Sequence, residues 1–382
     1  MGPLFLLVKY APAPLGALIK TAKIRGFWYG ILEVLNKGVV LLDDLKYINE
    51  KDPQDALGVI EKQWQQVAHD FGVTFQPQGN IQNVVLSGMG GSALPGVFLT
   101  SWPGVSVPFE ISRNYTLPTY VNEKTLVIAS SYSGNTEESL SSLEDAEKRG
   151  AQIVVIAAGG KLLDKAKEKN YPLFVIPGGI QPRMTSLYFL TAFVQLLEPL
   201  GLVATDSLEE LKAAGTWLRD FVEGWRADVP TAKNPPKQIA QELMGKSVIV
   251  YSGPKLFPVA NKFKICINEN AKNLAWVNQY PELNHNEFIG WSSHPVQKPF
   301  AIVEIRSNLE HPRVQRRFEV TEQLLSGMRP APIVIKPQGK TLLQQLLWTL
   351  VHDDFISVYL ALLNGVNPTP VDLVERFKAE LG

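Results

Sequence analysis

The chain has 382 residues, 45% of them hydrophobic and 19% charged, and its 37 basic residues balance 37 acidic ones. This length favours two domains, and the neutral balance argues against a protein that binds nucleic acid or membrane surfaces through charge. The single cysteine, Cys266, excludes an intramolecular disulfide framework and is typical of the reducing cytoplasm. Its neighbours in KFKICI favour a buried apolar residue over a nucleophile.

The chain begins with a short apolar run, MGPLFLLV, which ends at Lys9. The run is too short to span a bilayer, and its basic residue follows it, which is the wrong order for a secretory signal. Leu6 stands where a myristoylation pattern has Ser or Thr. We therefore interpret residues 1–40 as an extension outside the functional core and predict no association with membranes.

Residues 41–203 combine a leading helical segment, 41–72, with an alternation of apolar runs and helical segments. The alternation predicts βαβ units, and therefore a parallel sheet with helices on its faces. Five β-rich runs are predicted as strands: 83–88, 105–111, 125–131, 151–159 and 172–179.

A second alternation follows residues 204–239, which are charged and rich in proline and which we interpret as a connector. It occupies 240–365 and has further strand candidates before a long apolar helical segment, with a tail at 366–382. The predicted fold class is α/β: two lobes, each a parallel sheet flanked by helices, and a C-terminal helical tail. The strand candidates are 247–253, 299–305 and 330–337.

The loop SGMGGSALPG, residues 87–96, lies where a strand becomes a helix. Glycines in such a turn let the backbone approach an anion, and the helix N-terminus supplies free N–H groups. The spacing Gly88-x-Gly90-x-x-Ala93, with Glu110 about 20 residues from Gly90, also satisfies the fingerprint of a dinucleotide site. An NAD-linked enzyme is therefore one alternative at this point.

A second loop, SSYSGNTEE at 130–138, is also a strand-to-helix turn and carries four hydroxyl side chains. One hydroxyl suffices to cap a helix, so this number favours a phosphate cradle, and a sugar phosphate over a dinucleotide. The predicted phosphate-binding residues of the two loops are Gly91, Ser92, Ser131, Ser133 and Thr136.

The stretch NENAKNLAWVNQYPELNHNEFIGW, residues 268–291, mixes amides and carboxylates with large apolar side chains. Unpaired polar groups are costly inside a protein, so the mixture predicts a polar cleft with apolar walls. Glu269 is a candidate base, and Glu282 and Glu287 compete with it for that role. A metal site of His285, Glu287 and His294 is a weaker alternative, because the chain shows no HExxH or CxxC spacing there.

The pair GGSALPG and SYSGNTEE resembles the paired phosphate-binding loops of SIS (sugar isomerase) domains. NENAK, NHNE and a lysine near the C-terminus resemble the bifunctional phosphoglucose/phosphomannose isomerases of archaea and bacteria, over about residues 41–382. The resemblance implies two SIS domains and an enzyme that interconverts glucose 6-phosphate, mannose 6-phosphate and fructose 6-phosphate. It implies ring opening and proton transfer through an enediolate, with no cofactor and no metal. A sugar-phosphate sensor without catalysis is the alternative.

The resemblance also implies roles for individual residues. Glu269 matches the base, and Arg183 matches the arginine that stabilises the enediolate. His285 and Lys378 match the ring-opening pair, and Thr369 matches the threonine that gives room for the mannose epimer. The family implies a homodimer with shared sites, in which His285 enters the site of the neighbouring subunit. Such a dimer would cover an apolar patch that we expect from Trp276, Phe288, Ile289 and Trp291.

Overall fold

The computed structural model describes residues 41–293 and 299–381. The predicted extension at 1–40 and His294 of the alternative metal site lie outside the described residues. The described part begins with two short helices, α1 (Leu45–Lys51) and α2 (Ala56–Glu61). The Asp44 carboxylate caps α1, and Asp52 accepts hydrogen bonds from the first amides of α2. The leading segment is therefore helical, as its apolar spacing predicts.

The first lobe is a five-stranded parallel sheet in the order β2-β1-β3-β4-β5. The central strands β3 and β4 are buried along their whole length, which explains why they read as continuous apolar runs. The elements are β1 (Asn83–Ser87), α3 (Gly90–Phe98), β2 (Phe109–Ser112), β3 (Thr125–Ser131), α4 (Glu137–Lys148), β4 (Gln152–Ala157), α5 (Gly160–Lys169), β5 (Leu173–Val175) and α6 (Ser186–Leu197).

The range interpreted as a connector contains α7 (Ser207–Val222) and the start of α8 (Pro235–Leu243). Both helices pack against the long helix that spans Leu342–Leu363, and the apolar face of α7 is buried in the main core. Residues 204–239 are thus part of the packed structure and contain regular helices. The predicted domain boundaries stay a prediction.

The second lobe is a four-stranded parallel sheet in the order β7-β6-β8-β9. The predicted class of two parallel sheets flanked by helices, with a helical tail, is confirmed. The elements are β6 (Ser247–Ser252), α9 (Phe257–Glu269), β7 (Ala275–Gln279), α10 (Glu287–Gly290), β8 (Phe300–Ile305), α11 (Pro312–Leu324), β9 (Ile333–Ile335), α12 (Leu342–Leu363) and the tail helix α13 (Asp372–Leu381).

Four sequence predictions need correction. The strand predicted at 105–111 begins only at Phe109, directly after Pro108, which has no N–H for a ladder. The strands predicted at 172–179 and 330–337 are each reduced to three residues, β5 and β9. Strand β7 was not predicted at all, because it is an edge strand whose polar residues place it in the stretch interpreted as a cleft.

Helix α12 spans 22 residues and joins the lobes by packing against helices α2, α7, α8 and α9. Among the described residues it is the one helix long and apolar enough to cross a membrane, but 94% of its most apolar window is buried inside the protein. A capping box of Thr341 and Gln344 fixes its start. It is the core helix of the molecule: almost all of its residues are buried, and they include the polar His352, Asp353 and Asp354.

Candidate active site

The two predicted loops meet at the carboxyl edge of the first sheet, where β1 and β3 lie side by side. Gly88 makes this possible, because a Cβ added there would lie 2.8 Å from the Ser130 carbonyl oxygen. Gly91 lies against the turn that carries Arg183, where an added Cβ would lie 2.9 Å from the Pro182 carbonyl carbon. The glycines therefore let two loops and the arginine turn approach each other closely.

Hydrogen bonds connect the hydroxyls of the two loops. The Ser92 Oγ accepts from the Tyr132 amide at 2.8 Å, and the Ser131 and Thr136 hydroxyls lie 2.8 Å apart. Ser92 and Ser131 are buried and Ser133 is exposed. Thr136 occupies the N-cap of α4 without capping it through its side chain. The bond from Tyr132 to Ser92 thus joins the two loops beside the N-termini of α3 and α4, and helix N-termini suit an anion.

Arg183 lies in a single 3₁₀ turn, Pro182–Met184, and is only 1% exposed. Its Nη1 lies 3.1 Å from the Glu269 Oε2, and its Nε donates to the Asn270 Oδ1 at 2.5 Å. Its Nη2 donates to the carbonyl oxygens of Pro368 and Thr369, both at 2.8 Å. A guanidinium held on every side keeps its charge and its orientation.

Glu269 is the last residue of α9, and its side chain is 33% exposed although it pairs with the buried arginine. The competing carboxylates have other partners. Glu287 accepts from the Tyr251 hydroxyl and from Asn278, and Glu282 accepts from Asn286. Of the three glutamates in this stretch, Glu269 is the one that contacts Arg183.

Lys272 is a site residue that sequence reasoning missed. Its Nζ donates to four carbonyl oxygens: Glu269 at 2.8 Å, Asn270 at 3.2 Å, Asn367 at 2.8 Å and Pro368 at 3.1 Å. Burial, and secondarily the charge of Arg183, lower its pKa to about 8. The Lys272 ammonium therefore holds the C-terminal tail against the end of α9. The feature of the sequence that could have pointed to Lys272 is its place in the motif NENAK.

Asn270 was also missed, although it lies in the same motif. Its Oδ1 orients Arg183, and its Nδ2 donates to the Ser357 hydroxyl of α12 at 2.8 Å. The residue thus joins the arginine to the core helix, and its burial leaves no room for solvent to replace these bonds.

Thr369 lies beside Arg183, as its predicted role in the site requires. Its amide donates to the Asn367 Oδ1 at 2.9 Å, and its carbonyl accepts from the guanidinium. Its hydroxyl is buried and has no hydrogen-bond partner among the described residues. A buried hydroxyl without a partner is unusual in a protein, and the contact of Thr369 with Arg183 is made by its carbonyl oxygen.

His285 and Lys378 are not joined to this group by any hydrogen bond or ion pair between described residues. His285 is exposed at the end of a 3₁₀ turn, Glu282–His285, after strand β7. Lys378 is 58% exposed on α13 and pairs with Glu375 at 2.7 Å. Their predicted role as a ring-opening pair stays a prediction.

The apolar patch expected near His285 is only partly exposed. Trp276 and Ile289 are 49% and 71% exposed, but Trp291 is buried and packs on Phe300. Including Trp291 in the patch was therefore wrong, because the turn after α10 folds its ring inward. Cys266 is buried, as its neighbours predict, and its thiol lies 3.2 Å from Asp354 Oδ1. Within the described ranges, no three His, Cys, Asp or Glu side chains are grouped to hold a metal ion.

Comparison with known proteins places this geometry in a family. A model described as the bacterial phospho-glucose isomerase C-terminal SIS domain matches residues 232–381. A hypothetical protein from Thermus thermophilus has the same fold, with a TM-score of 0.63, 17% identity, and coverage of 92% of this chain and 95% of that one.

The curated relatives are closer in sequence. The bifunctional phosphoglucose/phosphomannose isomerase of Aquifex aeolicus is 34% identical over 322 residues, which are 84% of this chain and 94% of the relative. The enzyme of the same name from Caldicellulosiruptor bescii is 37% identical over 309 residues, with 79% and 90% coverage. A D-glucosamine-6-phosphate 4-epimerase of Sulfolobus acidocaldarius is 35% identical over 298 residues, with 78% and 88% coverage. This chain belongs to the bifunctional phosphoglucose/phosphomannose isomerase family.

Proposed function

We propose that the protein is an aldose–ketose isomerase that interconverts glucose 6-phosphate and mannose 6-phosphate with fructose 6-phosphate. The observation that carries the proposal is the pairing of Arg183 with Glu269 at 3.1 Å. The arginine is almost wholly buried and the carboxylate is one-third exposed, so the carboxylate faces a ligand while its cation stays fixed. This is the arrangement that proton abstraction beside a developing oxyanion needs.

The substrate phosphate binds at the two loops of the first lobe. Gly91 supplies close backbone approach, and Ser92, Ser131, Ser133 and Thr136 supply hydroxyls. Support comes from the hydrogen bonds that connect Ser92 to Tyr132 and Ser131 to Thr136, and from the two helix N-termini beside them. The phosphate anchors the sugar and takes no part in the chemistry.

The reaction uses no redox cofactor. After the ring opens, Glu269 takes the proton from C2 of the aldose and returns it to C1, and the proton of the C2 hydroxyl passes to the C1 oxygen, which yields the ketose. Arg183 stabilises the enediolate between the two transfers, because a guanidinium stays charged throughout. Thr369 gives the proton acceptor access to both C2 epimers, and the hydrogen bond from Arg183 to its carbonyl oxygen supports a role in this site.

Ring opening uses His285 and Lys378, which come together across a homodimer. Both side chains are exposed and lack a partner in the Arg183–Glu269 group, which fits a site completed by a second subunit. In this arrangement His285 enters the site of the neighbouring chain. We place the enzyme in the cytoplasm, in agreement with the single free cysteine.

Two other functions are less well supported. A sensor would need the serine loops but not a carboxylate paired with a buried arginine. The relative named as a 4-epimerase shows that a related chain carries another reaction on a sugar 6-phosphate. That activity is a candidate here on sequence similarity alone.

A coupled assay tests the proposal. Purified protein is offered each aldose 6-phosphate in turn, and the fructose 6-phosphate that forms is measured. We expect turnover of both epimers, unchanged by a chelator, since no metal enters the steps above. Absence of turnover with both would overturn the proposal. Glucosamine 6-phosphate is the matched third substrate, and inversion at its C4 without aldose isomerisation would assign the epimerase reaction instead.

A further inference from the structure

Every hydrogen-bond donor of the Arg183 guanidinium already has an acceptor within the protein. A guanidinium has five N–H donors, and five oxygen atoms accept hydrogen bonds from this one. Arg183 therefore stabilises an enediolate through its charge, but a hydrogen bond to the enediolate needs another donor unless one of the acceptors leaves. The acceptors are the side chains of Gln181, Glu269 and Asn270 and the carbonyl groups of Pro368 and Thr369.

The side-chain amide of Gln181 is oriented by its contact with Arg183. The Arg183 Nη1 donates to the Gln181 Oε1 and to the Glu269 Oε2, each at 3.1 Å. Because a guanidinium can only donate, the amide atom that contacts it is the oxygen. The amide nitrogen, Nε2, lies on the other branch of the same planar group and has no hydrogen-bond partner among the described residues. Gln181 is half-buried, so this donor is not sealed off from a ligand.

The backbone on both sides of Gln181 is fixed next to the predicted phosphate loops. The Ile180 amide donates to the Tyr132 hydroxyl at 3.1 Å. A Cβ added to Gly91 would lie 3.0 Å from the Arg183 amide nitrogen. The side chain of Gln181 extends from this segment to the same nitrogen that Glu269 contacts. A sugar phosphate that reaches from the loops to Glu269 would therefore pass beside the Gln181 amide.

The other donors around Glu269 are occupied or out of reach. The Asn270 Nδ2 donates to the Ser357 hydroxyl at 2.8 Å, and the Lys272 ammonium donates to four carbonyl oxygens. The Thr369 hydroxyl has no partner, but it is buried and closed to a ligand. Of the described side chains that contact Arg183, Gln181 is thus the one with an accessible donor that lacks an acceptor.

We propose that the Gln181 Nε2 donates a hydrogen bond to an oxygen of the enediolate while its Oε1 stays on Arg183. Proton removal from C2 of the aldose places negative charge on the C1 oxygen, and removal from C1 of the ketose places it on the C2 oxygen. An amide whose oxygen accepts from a cation is polarised and donates more strongly. The bond strengthens as the charge develops, so it lowers the barrier. The proposal rests on the isomerase function proposed above and adds a catalytic residue to it.

Two inhibitors separate this hydrogen bond from the binding of substrate. The hydroxamate of arabinonic acid 5-phosphate has a planar pair of oxygens like that of the enediolate, whereas glucitol 6-phosphate has the phosphate and hydroxyls without such a pair. Gln181→Met keeps the length of the side chain but removes its donor. We expect kcat/KM to fall about 10²-fold and the Ki of the hydroxamate to rise by a similar factor. The Ki of glucitol 6-phosphate should not change, which also shows that the variant is folded.

Two further variants serve as controls. Gln181→Glu keeps an oxygen for Arg183 but has no N–H group and adds negative charge beside the enediolate, so its loss of kcat/KM should be at least as large. Gln338→Met changes an exposed glutamine outside the site, whose amide donates to the Lys336 carbonyl oxygen at 3.2 Å. It should leave the kinetics and both inhibition constants as they are in the parent.

The results that contradict the proposal differ from those that contradict the isomerase function. If Gln181→Met turns over substrate and binds both inhibitors as the parent does, the enediolate takes its hydrogen bond from Arg183 itself, in place of one of the acceptors. If both inhibitors bind more weakly by the same factor, Gln181 only holds the turn in place. Either result overturns the role of Gln181, and an active parent then leaves the isomerase proposal intact. A parent that converts neither aldose phosphate would overturn both proposals.

Discussion

The two lobes contain the same turn, from a strand ending in Ser-Gly into a helix, but in the second lobe a glutamate side chain fills it. Ser87 and Ser252 end β1 and β6, and both hydroxyls are buried without a hydrogen-bond partner within the described chain. In the first lobe, the neighbouring strand β3 leads into a loop of hydroxyls. In the second lobe, the neighbouring strand β8 leads into a loop that carries Glu310.

The Glu310 carboxylate fills the turn of the second lobe. Its Oε1 accepts from the Lys255 amide at 2.8 Å, and a Cβ added to Gly253 would lie 2.3 Å from that same oxygen. Burial raises the pKa of Glu310, while the backbone amides of Lys255 and Leu256 act in the opposite direction. The Glu310 side chain thus occupies the position in the second lobe that corresponds to the proposed phosphate site of the first. Under the proposed function, one fold is used twice, once to bind the ligand and once to hold the base.

If the first lobe binds the phosphate and the second lobe holds the base, changes in the second lobe should affect the rate and not the binding of substrate. Glu269→Gln keeps the shape of the side chain but cannot accept the C2 proton. We expect kcat to fall by about 10²- to 10⁴-fold, the usual contribution of a general base, with substrate binding retained. Kinetics and calorimetric titration with fructose 6-phosphate would measure the two effects. If Glu269→Gln stays active and Glu287→Gln is inactive, then Glu287 is the base and Glu269 is not.

Lys272 offers a sharper test, because it orders the second-lobe site without touching the serine loops. Lys272→Met removes the bonds that hold the tail to α9, and we expect a roughly 100-fold loss of kcat from the displaced carboxylate. The wild-type side chain is charged below its pKa of about 8 and loses that charge as the pH rises through this value. The wild-type rate should therefore decline above this pH.

Lys272→Arg is the matched control for that decline. A guanidinium stays charged across the range, so the alkaline limb of the profile should move upward while some activity returns relative to Lys272→Met. An alkaline limb that stays at the same pH in Lys272→Arg would mean that another group titrates there.

The serine loops of the first lobe, unlike its Arg183, should control binding and not the rate. Ser131 accepts from the Gly134 amide at 3.0 Å and contacts Thr136, so Ser131→Ala removes a hydroxyl at the centre of the cradle. We expect KM to rise roughly tenfold for each aldose phosphate, which corresponds to one lost hydrogen bond to a charged group. Ser252→Ala is the matched change in the second lobe and should leave KM unaltered. Equal effects of the two changes would remove the distinction between the lobes.

Local chemistry explains which parts of the molecule could be predicted. The buried runs at β1, β3 and β6 are recognisable because parallel strands covered on both faces are apolar throughout. The serine loops are recognisable because glycine and hydroxyl residues follow strands directly. Strand β7 was missed since an edge strand with Asn278 and Gln279 lacks such a run.

Contacts between distant residues could not be predicted from patterns. Arg183 and Glu269 are 86 positions apart, and the Lys272 contacts with the tail cross 95 and 96 positions. Only the family resemblance singled out Arg183, and it did not single out Lys272. The motif NENAK marks Lys272 as a residue of interest, but it does not show that the partners of Lys272 are carbonyl oxygens of a remote loop. The Glu310 carboxylate in the second lobe was missed for the same reason.

The smallest effect is expected when the Glu310 side chain is removed from the turn of the second lobe. Glu310→Ala removes the internal anion and leaves buried amides without an acceptor, which should cost about 1–3 kcal/mol in the free energy of unfolding. Glu375→Ala, which removes an exposed carboxylate, is the control and should cost far less. Inorganic phosphate should then stabilise Glu310→Ala more than the parent chain, because the vacated turn offers the same amides to an external anion.

Glu310→Ala is best compared with its parent when both proteins also carry Ser131→Ala. Phosphate binding at the serine loops of the first lobe then contributes little to the measured stabilisation. Thermal unfolding at increasing phosphate concentration measures the difference in Tm. A Glu310→Ala variant as stable as its parent would show that the carboxylate does not satisfy the turn. A destabilised variant that gains nothing from phosphate would show that the second-lobe turn differs from the first by more than one side chain.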